Sequence, residues 1–361
     1  MNLLENAREK INSIDAQMAK LFEERMIAAR DVAQYKKEKG MPIFDASREA
    51  QVVEKNSALV KDEDLRSFYV EFIKYNMKLS KEYQRQLLGG MKVAFCGVRG
   101  AFAQTAAMRI FEKSNTVPYA SFNDAYKAVE DGECDVAVLP IENSYAGEVG
   151  QTIDLIFSGS LYINGIYELE IHQNLLGLMD ATIDDIKKVT SHPQALSQCH
   201  DYIKLREFDT EESNNTAVAA KTVVDMNDKS LGAIASVETA EIYGLKVIEA
   251  NINKSGENTT RFAVLSKVKA DSPTLSNSVL MFTVKNEAGS LAKAISIIGK
   301  YGYNMTALRS RPLKKHSWQY YFYIEIDGTT QNENGQKMIE ELSEICDKLK
   351  IAGTYAPHSE I

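Results

Sequence analysis

The sequence has four cysteines in 361 residues, and Cys96, Cys134, Cys199 and Cys346 are too far apart to form a CxxC pair. That scatter argues against both a zinc site and a disulfide framework, so no metal is expected and a reducing cytoplasm is the expected location. No apolar run approaches the roughly 18 residues of a membrane span. The opening "MNLLENAREK" is charged at once and is no secretory signal, so no membrane partner is expected. Cations are not in excess either: a net charge of minus 8 and a pI near 5.4 speak against nucleic acid as a partner. Glycine and proline are nearly absent from residues 1–88, which hold only Gly40 and Pro42. Such a segment is helical with one break.

What is present divides the chain into three segments: 1–88, 91–268 and 276–355. In the first, Ile11, Ile14, Met18, Leu21, Arg25, Ala28, Val32 and Tyr35 step by three and four, a heptad-like seam. A helix of about 35 residues would be about 50 Å long, too long to be covered by one small domain, so an intertwined homodimer is expected. At about 100° per residue, Arg25 and Lys36 lie about 20° apart and share a face, while Arg8 lies about 100° away. Arg25 on an apolar seam needs an anion, either a glutamate of a neighbouring helix or a ligand. After the break, "DASRE" opens a second helix with Asp45 as expected N-cap and Arg48 and Glu49 in its first turn. "SKEYQ" sets Ser80 and Gln84 on one helical face. Three cations with Arg48, Glu49, Ser80 and Gln84 suit a small ligand bearing two carboxylates, a hydroxyl and an ether oxygen.

From Met91, short β-type runs such as "KVAFCG", "DVAVLPI" and "LGAIAS" alternate with amphipathic helical stretches, the pattern of an α/β domain with a largely parallel sheet. "FCGVRGAFAQTAA" is a strand-to-helix glycine turn, but Gly97 and Gly100 lack the GxGxxG spacing of a dinucleotide site. In "LPIENSYAG", Glu142, Asn143 and Ser144 follow a buried strand, at the end where α/β sheets bind ligands. "TSHPQALSQC" and "NNTAVAA" put Ser191, Gln198 and Thr216 at further strand-to-helix junctions. Each of these alone reads equally as an N-cap, and "NTTRF" at 258–262 alone reads as a β-prone turn with a surface arginine. The last segment has the order βαββαβ, that of a ferredoxin-like sandwich.

Taken together these stretches carry resemblances. Arg8, Arg25, Lys36, "DASRE" and "SKEYQ" resemble the all-helical class of chorismate mutase, an intertwined dimer. The resemblance implies one site built from Arg25, Lys36, Asp45, Arg48, Glu49, Ser80 and Gln84, with Arg8 from the other protomer and Lys36 and Gln84 against the oxygen of the breaking C–O bond. The span from about Lys92 to Lys267 resembles prephenate dehydratase, through "GVRGAFAQTAA", "PIENS", "SHPQALSQC", "AIASVETAEIYGL" and "NTTRF". That implies a bilobal, periplasmic-binding-protein-like fold in which Thr260 is catalytic, Glu142 a partner acid, and Asn143, Ser144, Ser191, Gln198, Thr216, Arg261 and Phe262 line the cleft. Ala103 and Asn214-Asn215 depart from the usual family residues. "NEAGSLAKAI" and "LRSRPLKKHSWQYYFYIEI" resemble an ACT domain, which implies phenylalanine as effector near Gly289, Ser290, Leu291 and Asn304. Arg309 there reverses the charge of the usual glutamate. The whole resembles the bifunctional chorismate mutase/prephenate dehydratases, with chorismate and prephenate as substrates and no cofactor. The competing class is a non-catalytic sensor, a bilobal ligand-binding module dimerised by its helices.

Overall fold

The computed structural model describes residues 3–38, 46–87, 89–112, 114–253, 258–270, 275–313, 319–356 and 359–361, without the side chains of 36–38, 46–50, 85, 86 and 359. Two compact units divide at Met91/Lys92.

The first unit is three helices, α1 (Leu3–Glu38), α2 (Ala46–Ser57) and α3 (Glu63–Leu87). As the unbroken apolar stepping predicts, α1 runs for 36 residues. It packs on α3, and the buried apolar residues of the two helices are Ala29 and Ala33 of α1 and Ile73 and Met77 of α3. This contact face is one residue off the expected seam, because Ala28, Val32 and Tyr35 stay exposed. Small alanines let the two backbones approach. Towards the N-terminus Ile11, Ile14, Met18 and Leu21 are all exposed, Leu21 by 63%.

The second unit begins with one lobe: β1 (Lys92–Cys96), α4 (Phe102–Ile110), β2 (Asn115–Tyr119), α5 (Phe122–Glu130), β3 (Val136–Asn143), β4 (Gly147–Glu148), α6 (Gly150–Ser158) and β5 (Tyr162–Glu170). A second lobe follows: β6 (Asn174–Gly177), β7 (Lys188–Ser191), α7 (Pro193–Gln198), α8 (His200–Leu205), β8 (Asp209–Glu212), α9 (Thr216–Met226), β9 (Leu231–Ala235), α10 (Val237–Tyr243) and β10 (Lys246–Glu249). The chain then returns to the first lobe as β11 (Thr259–Ser266). The expectation of a largely parallel sheet needs correcting. β2-β1-β3 and β8-β7-β9 are parallel, but β11, β5, β6 and β10 pair antiparallel because the chain crosses between lobes twice and each return reverses direction. At the crossings, Gln173 N donates to Asn253 Oδ1 at 2.8 Å, and Asn253 Nδ2 donates to the Ile171 carbonyl at 3.0 Å. These bonds tie the two connecting segments to each other.

The C-terminal part is β12 (Asn277–Val284), α11 (Ser290–Lys300), β13 (Asn304–Pro312), β14 (Tyr320–Asp327), α12 (Glu333–Ile345), β15 (Cys346–Tyr355) and the short β16 (Ser359–Glu360). Its strands order β13-β14-β12-β15 with every neighbour antiparallel, the arrangement expected from βαββαβ. One face of this sheet packs on α11 and α12 through Leu280, Phe282, Ile324 and Ile326. The other shares a core with the first lobe, where Tyr321 stacks on Phe157 at 4.1 Å between ring centroids. The two sheets also join edge to edge through the pair Gly353 and Ile163. An added Cβ at Gly353 would overlap the Ile163 carbonyl, so only glycine permits the approach.

Candidate active sites

In the helical unit, Met77, Ser80 and Gln84 repeat along α3 on the side that meets α1. Arg25 of α1 reaches across, donating to Ser80 Oγ and, at 3.3 Å, to the Asn76 carbonyl. Ser80 in turn donates to the Asn76 carbonyl at 2.9 Å. Both partners are neutral, and no carboxylate pairs with Arg25 among the described residues, so the alternative of an interhelical ion pair is not realised there. Burial lowers the Arg25 pKa from its ordinary value, the direction expected of a cation lacking a counter-ion. One turn on, Gln84 is buried and its Oε1 has no hydrogen-bond partner among the described residues. An uncompensated cation beside an orphan amide is an arrangement that awaits a polar anion. Arg8 lies exposed 17 residues from Arg25 on the same helix, about 25 Å along its axis. Asp45 and the side chains of Lys36, Arg48 and Glu49 lie outside the described residues.

In the second unit, a cleft of about 300 Å³ lies between the lobes. Three strand-to-helix junctions contribute: Gly97 and Ala101 before α4 with Phe102 and Ala103 in its first turn, His192 and Gln194 at α7, and Asn214 to Thr216 at α9. Asn143, Thr260 and Phe262 enter from the ends of β3 and β11. No lysine or arginine is among the described lining residues, so negative charge in the cleft meets the N-termini of α4 and α9.

A chain of amides runs along the cleft. Asn143 Nδ2 donates to Thr260 Oγ1 and to Asn258 Oδ1, both at 2.9 Å. Asn258 Nδ2 donates to Gln198 Oε1 at 2.9 Å, which also accepts from Gln173 Nε2 at 3.3 Å. Asn143 Oδ1 accepts from the Ala146 and Tyr145 N–H groups at 2.9 and 3.1 Å and from Gln194 Nε2 at 3.1 Å. Backbone donors therefore fix which way the Asn143 amide points. Its N–H is aimed at Thr260, whose oxygen accepts and whose own hydrogen is left for the cleft.

Of the residues expected in the cleft, Asn143, Gln198, Thr216, Thr260 and Phe262 line it. Glu142 and Arg261 do not: neighbours in a strand point to opposite faces, and with Asn143 and Thr260 inward these two point behind the sheet. There Arg261 pairs with Glu142 at 3.0 Å and with Glu325 at 2.7 Å. Ser191 is fully buried and donates to the Ile234 carbonyl at 2.6 Å, fastening β7 to β9. Ser144 Oγ accepts from Thr259 N at 2.9 Å, closing the strand end. The sequence reading missed His192, Gln194, Asn258 and Gln173. The first three sit inside the quoted stretches "TSHPQALSQC" and "NTTRF", and Gln173 carried no motif. His192 Nδ1 accepts from Gln194 N at 3.2 Å, so the neutral ring carries its proton on Nε2. Cys96 also borders the cleft, but burial and then Asp124 raise its thiol pKa, the reverse of an activated nucleophile.

A larger cavity of about 810 Å³ lies between the first lobe and the C-terminal strands and shares Phe122 with the cleft, but it holds none of Thr260, Asn143 or Gln198. In the C-terminal part Gly289 takes φ of +86° as N-cap of α11, Ser290 and Leu291 open that helix, and Asn304 Nδ2 donates to Asp327 at 3.0 Å. No group of metal-binding side chains occurs among the described residues, and none of their helices is long and apolar enough to cross a membrane.

Comparison with known proteins assigns both units. A chorismate mutase type II family model matches residues 7–85, and a prephenate dehydratase model matches residues 93–270. A bifunctional chorismate mutase/prephenate dehydratase of Aquifex aeolicus is 32% identical over 366 residues, covering 98% of each chain. The structure of an Arthrobacter aurescens prephenate dehydratase in complex with L-Phe covers 74% of this chain and 90% of its own, with 25% identity and a TM-score of 0.69. A structure described as GqqA, a novel type of quorum quenching acylase, is 30% identical with a TM-score of 0.69, over 73% of this chain and 97% of its own. With both family models in place and a relative matching end to end, the chain belongs to the bifunctional chorismate mutase/prephenate dehydratases of phenylalanine biosynthesis and carries both activities.

Proposed function

We propose that Thr260 is the hydrogen-bond donor of the dehydratase and Asn143 the residue that aims it. Prephenate loses its ring hydroxyl as water while the ring carboxylate leaves as carbon dioxide, giving phenylpyruvate. The departing hydroxyl gathers negative charge, and a fixed donor placed there lowers the barrier. The observation that carries this reading is the 2.9 Å bond from Asn143 Nδ2 to Thr260 Oγ1, which frees the hydroxyl hydrogen for the substrate. An aliphatic alcohol is a weak acid, so Thr260 donates a hydrogen bond without becoming an alkoxide, and the proton that turns the departing hydroxide into water comes from solvent. Gln198, Asn258 and Thr216 hold the substrate's polar groups, and the N-termini of α4 and α9 face its carboxylates. Glu142 and Arg261 act from behind the sheet. Replacing Thr260 by valine preserves shape and removes the donor, and a loss of about 10²- to 10³-fold in kcat is expected, as for one oriented donor at a developing charge. Thr260→Ser should keep most of the rate. A valine variant within threefold of wild type would contradict the assignment.

For the mutase we propose a site formed by Arg25, Ser80 and Gln84 with Lys36, Asp45, Arg48 and Glu49 of one protomer and Arg8 of a second copy. The rearrangement needs no acid or nucleophile. Cations hold the two carboxylates in the reactive conformer, and Lys36 with Gln84 meets the ether oxygen. The exposed stripe of Ile11, Ile14, Met18 and Leu21 supports burial against that second copy.

The C-terminal part is proposed to be an ACT domain that binds phenylalanine around Gly289, Ser290, Leu291 and Asn304 and restrains the dehydratase. The phenylalanine complex of the Arthrobacter relative and the βαββαβ order support this. Saturating phenylalanine should lower the dehydratase rate or change the oligomeric state, and no change in either would refute it. Four free thiols support the cytoplasm as the location.

A further inference from the structure

Behind Thr260 lies a ring of four charges with alternating sign. Arg261 of β11 donates to Glu142 at 3.0 Å and to both oxygens of Glu325 at 2.7 and 3.0 Å. Arg309 pairs with Glu142 at 2.6 Å and with Glu325 at 3.5 Å, which closes the ring. Glu168 adds a longer contact to Arg261 at 3.7 Å. Two members belong to the dehydratase lobe and two to the C-terminal part, on β13 and β14. Glu325 is 2% exposed and also accepts from the Tyr323 hydroxyl at 2.8 Å. Burial opposes its ionisation, but Arg261 and Tyr323 outweigh burial and hold its pKa below the ordinary value. Burial likewise opposes the charge on Arg261, and Glu325 and Glu142 outweigh it. Glu325 and Arg261 thus face each other as a charged pair.

The register makes this ring more than an interdomain clasp. Thr260 pairs across the ladder with Asn143, and Arg261 with Glu142. The donor and the residue that aims it are therefore each one peptide from a ring member, on the two strands the ring binds together. The regular ladder slips between Arg261 and Phe262, so backbone pairing alone fixes this strand end less firmly. We propose that Glu325 and Arg309 are positioning residues for dehydration: by gripping Arg261 and Glu142 they hold the β11 and β3 ends, and so make the C-terminal part a working component of the dehydratase site. The proposal rests on the reading of Thr260 as donor.

The two residues allow geometry to be separated from field. Glu325→Gln leaves the ring one positive charge in excess, and Arg309→Met leaves it one negative charge in excess. A field acting on an anionic substrate would move the rate in opposite directions in the two variants. Positioning predicts the same direction in both. We expect dehydratase kcat to fall about tenfold or more in each variant, with KM for prephenate within about threefold, since small misplacement of a donor costs rate before affinity. Glu325→Asp should recover part of the loss, and mutase turnover in the same full-length chain should not change. Circular dichroism and thermal melting establish folding. If Glu325→Gln does not fold, Arg309→Met decides, because the Arg309 side chain is less buried than that of Glu325. Both rates within threefold of wild type, or changes of opposite sign, would overturn the proposal. Thr260→Val measured alongside separates the failures. If that variant is fully active, the donor reading falls and the proposal with it. If it is inactive while the ring variants turn over normally, only the positioning role falls.

Discussion

Arg8 and Arg25 cannot serve one site within a single chain. Seventeen residues of continuous helix separate them by about 25 Å, whereas a substrate of chorismate's size spans less than half that distance. If Arg8 acts, it acts on the other protomer's site, and this can be read by complementation. Arg8→Ala and Arg25→Ala each remove a charge-assisted contact to a carboxylate, at about 2 to 3 kcal/mol, so each homodimer should lose about 30- to 150-fold in kcat/KM. Co-expression of the two chains gives half heterodimers. In each of these, one site has both arginines and the other has neither. Mutase activity should therefore return to about a quarter of wild type per chain in the mixture and to about half in the purified heterodimer, far above either parent. The assay is the disappearance of chorismate on purified, differently tagged heterodimer. Activity no greater than the parents', with exchange confirmed by the two tags, would refute the composite site. A fully active Arg8→Ala homodimer would remove Arg8 from it.

Two further outcomes follow from the geometry. Asn143→Ala removes the amide that aims Thr260 and leaves Asn258 without a donor, so dehydratase kcat should fall about 10²-fold while mutase turnover stays unchanged; an unchanged kcat would show that the Thr260 hydroxyl needs no orienting. Lys350 is half-buried with its amine on the Ile156 and Gly159 carbonyls, and that burial followed by repulsion from Lys348 lowers its pKa to about 8. Because the folded value lies below the unfolded one, the strain of holding the charge is fully present below pH 8 and is relieved as pH rises. The melting temperature of the second unit should therefore rise from pH 8 towards pH 9.5, and Lys350→Met should abolish that rise; a flat or falling profile in the wild type would contradict it.

Much of this was legible in the residues. Absence of glycine and proline marked the helical unit, the stepping of apolar residues gave the length of α1, and the strand–helix alternation placed the cleft at the junctions that line it. What sequence could not supply was which copy covers α1, so the apolar seam read as continuous although α3 meets it one residue to the side. Glu142 and Arg261 were misplaced for a different reason. They adjoin Asn143 and Thr260 in the same stretches, and period-two alternation already forbids both neighbours from facing one cleft. Ser191 and Ser144 read as ligands because a serine at a strand end looks the same whether it binds a substrate or a carbonyl. Gln173 was invisible, since only the crossing between lobes brings it to Gln198. The antiparallel strands were hidden in the same way, because a strand's direction depends on how often the chain changes lobe. Arg309 drew notice only as a reversal of charge. Its partners, Glu142 and Glu325, lie 167 and 16 residues away.

The central claim is that one chain makes prephenate in its helical unit and consumes it through Thr260 in the cleft. Chorismate, prephenate and phenylpyruvate followed together in a single time course, for the wild type and for Thr260→Val, test it directly. The wild type should carry chorismate through to phenylpyruvate, and the variant should convert chorismate at the wild-type rate and stop with prephenate in stoichiometric amount. Phenylpyruvate formed by the variant at the wild-type rate would contradict the account.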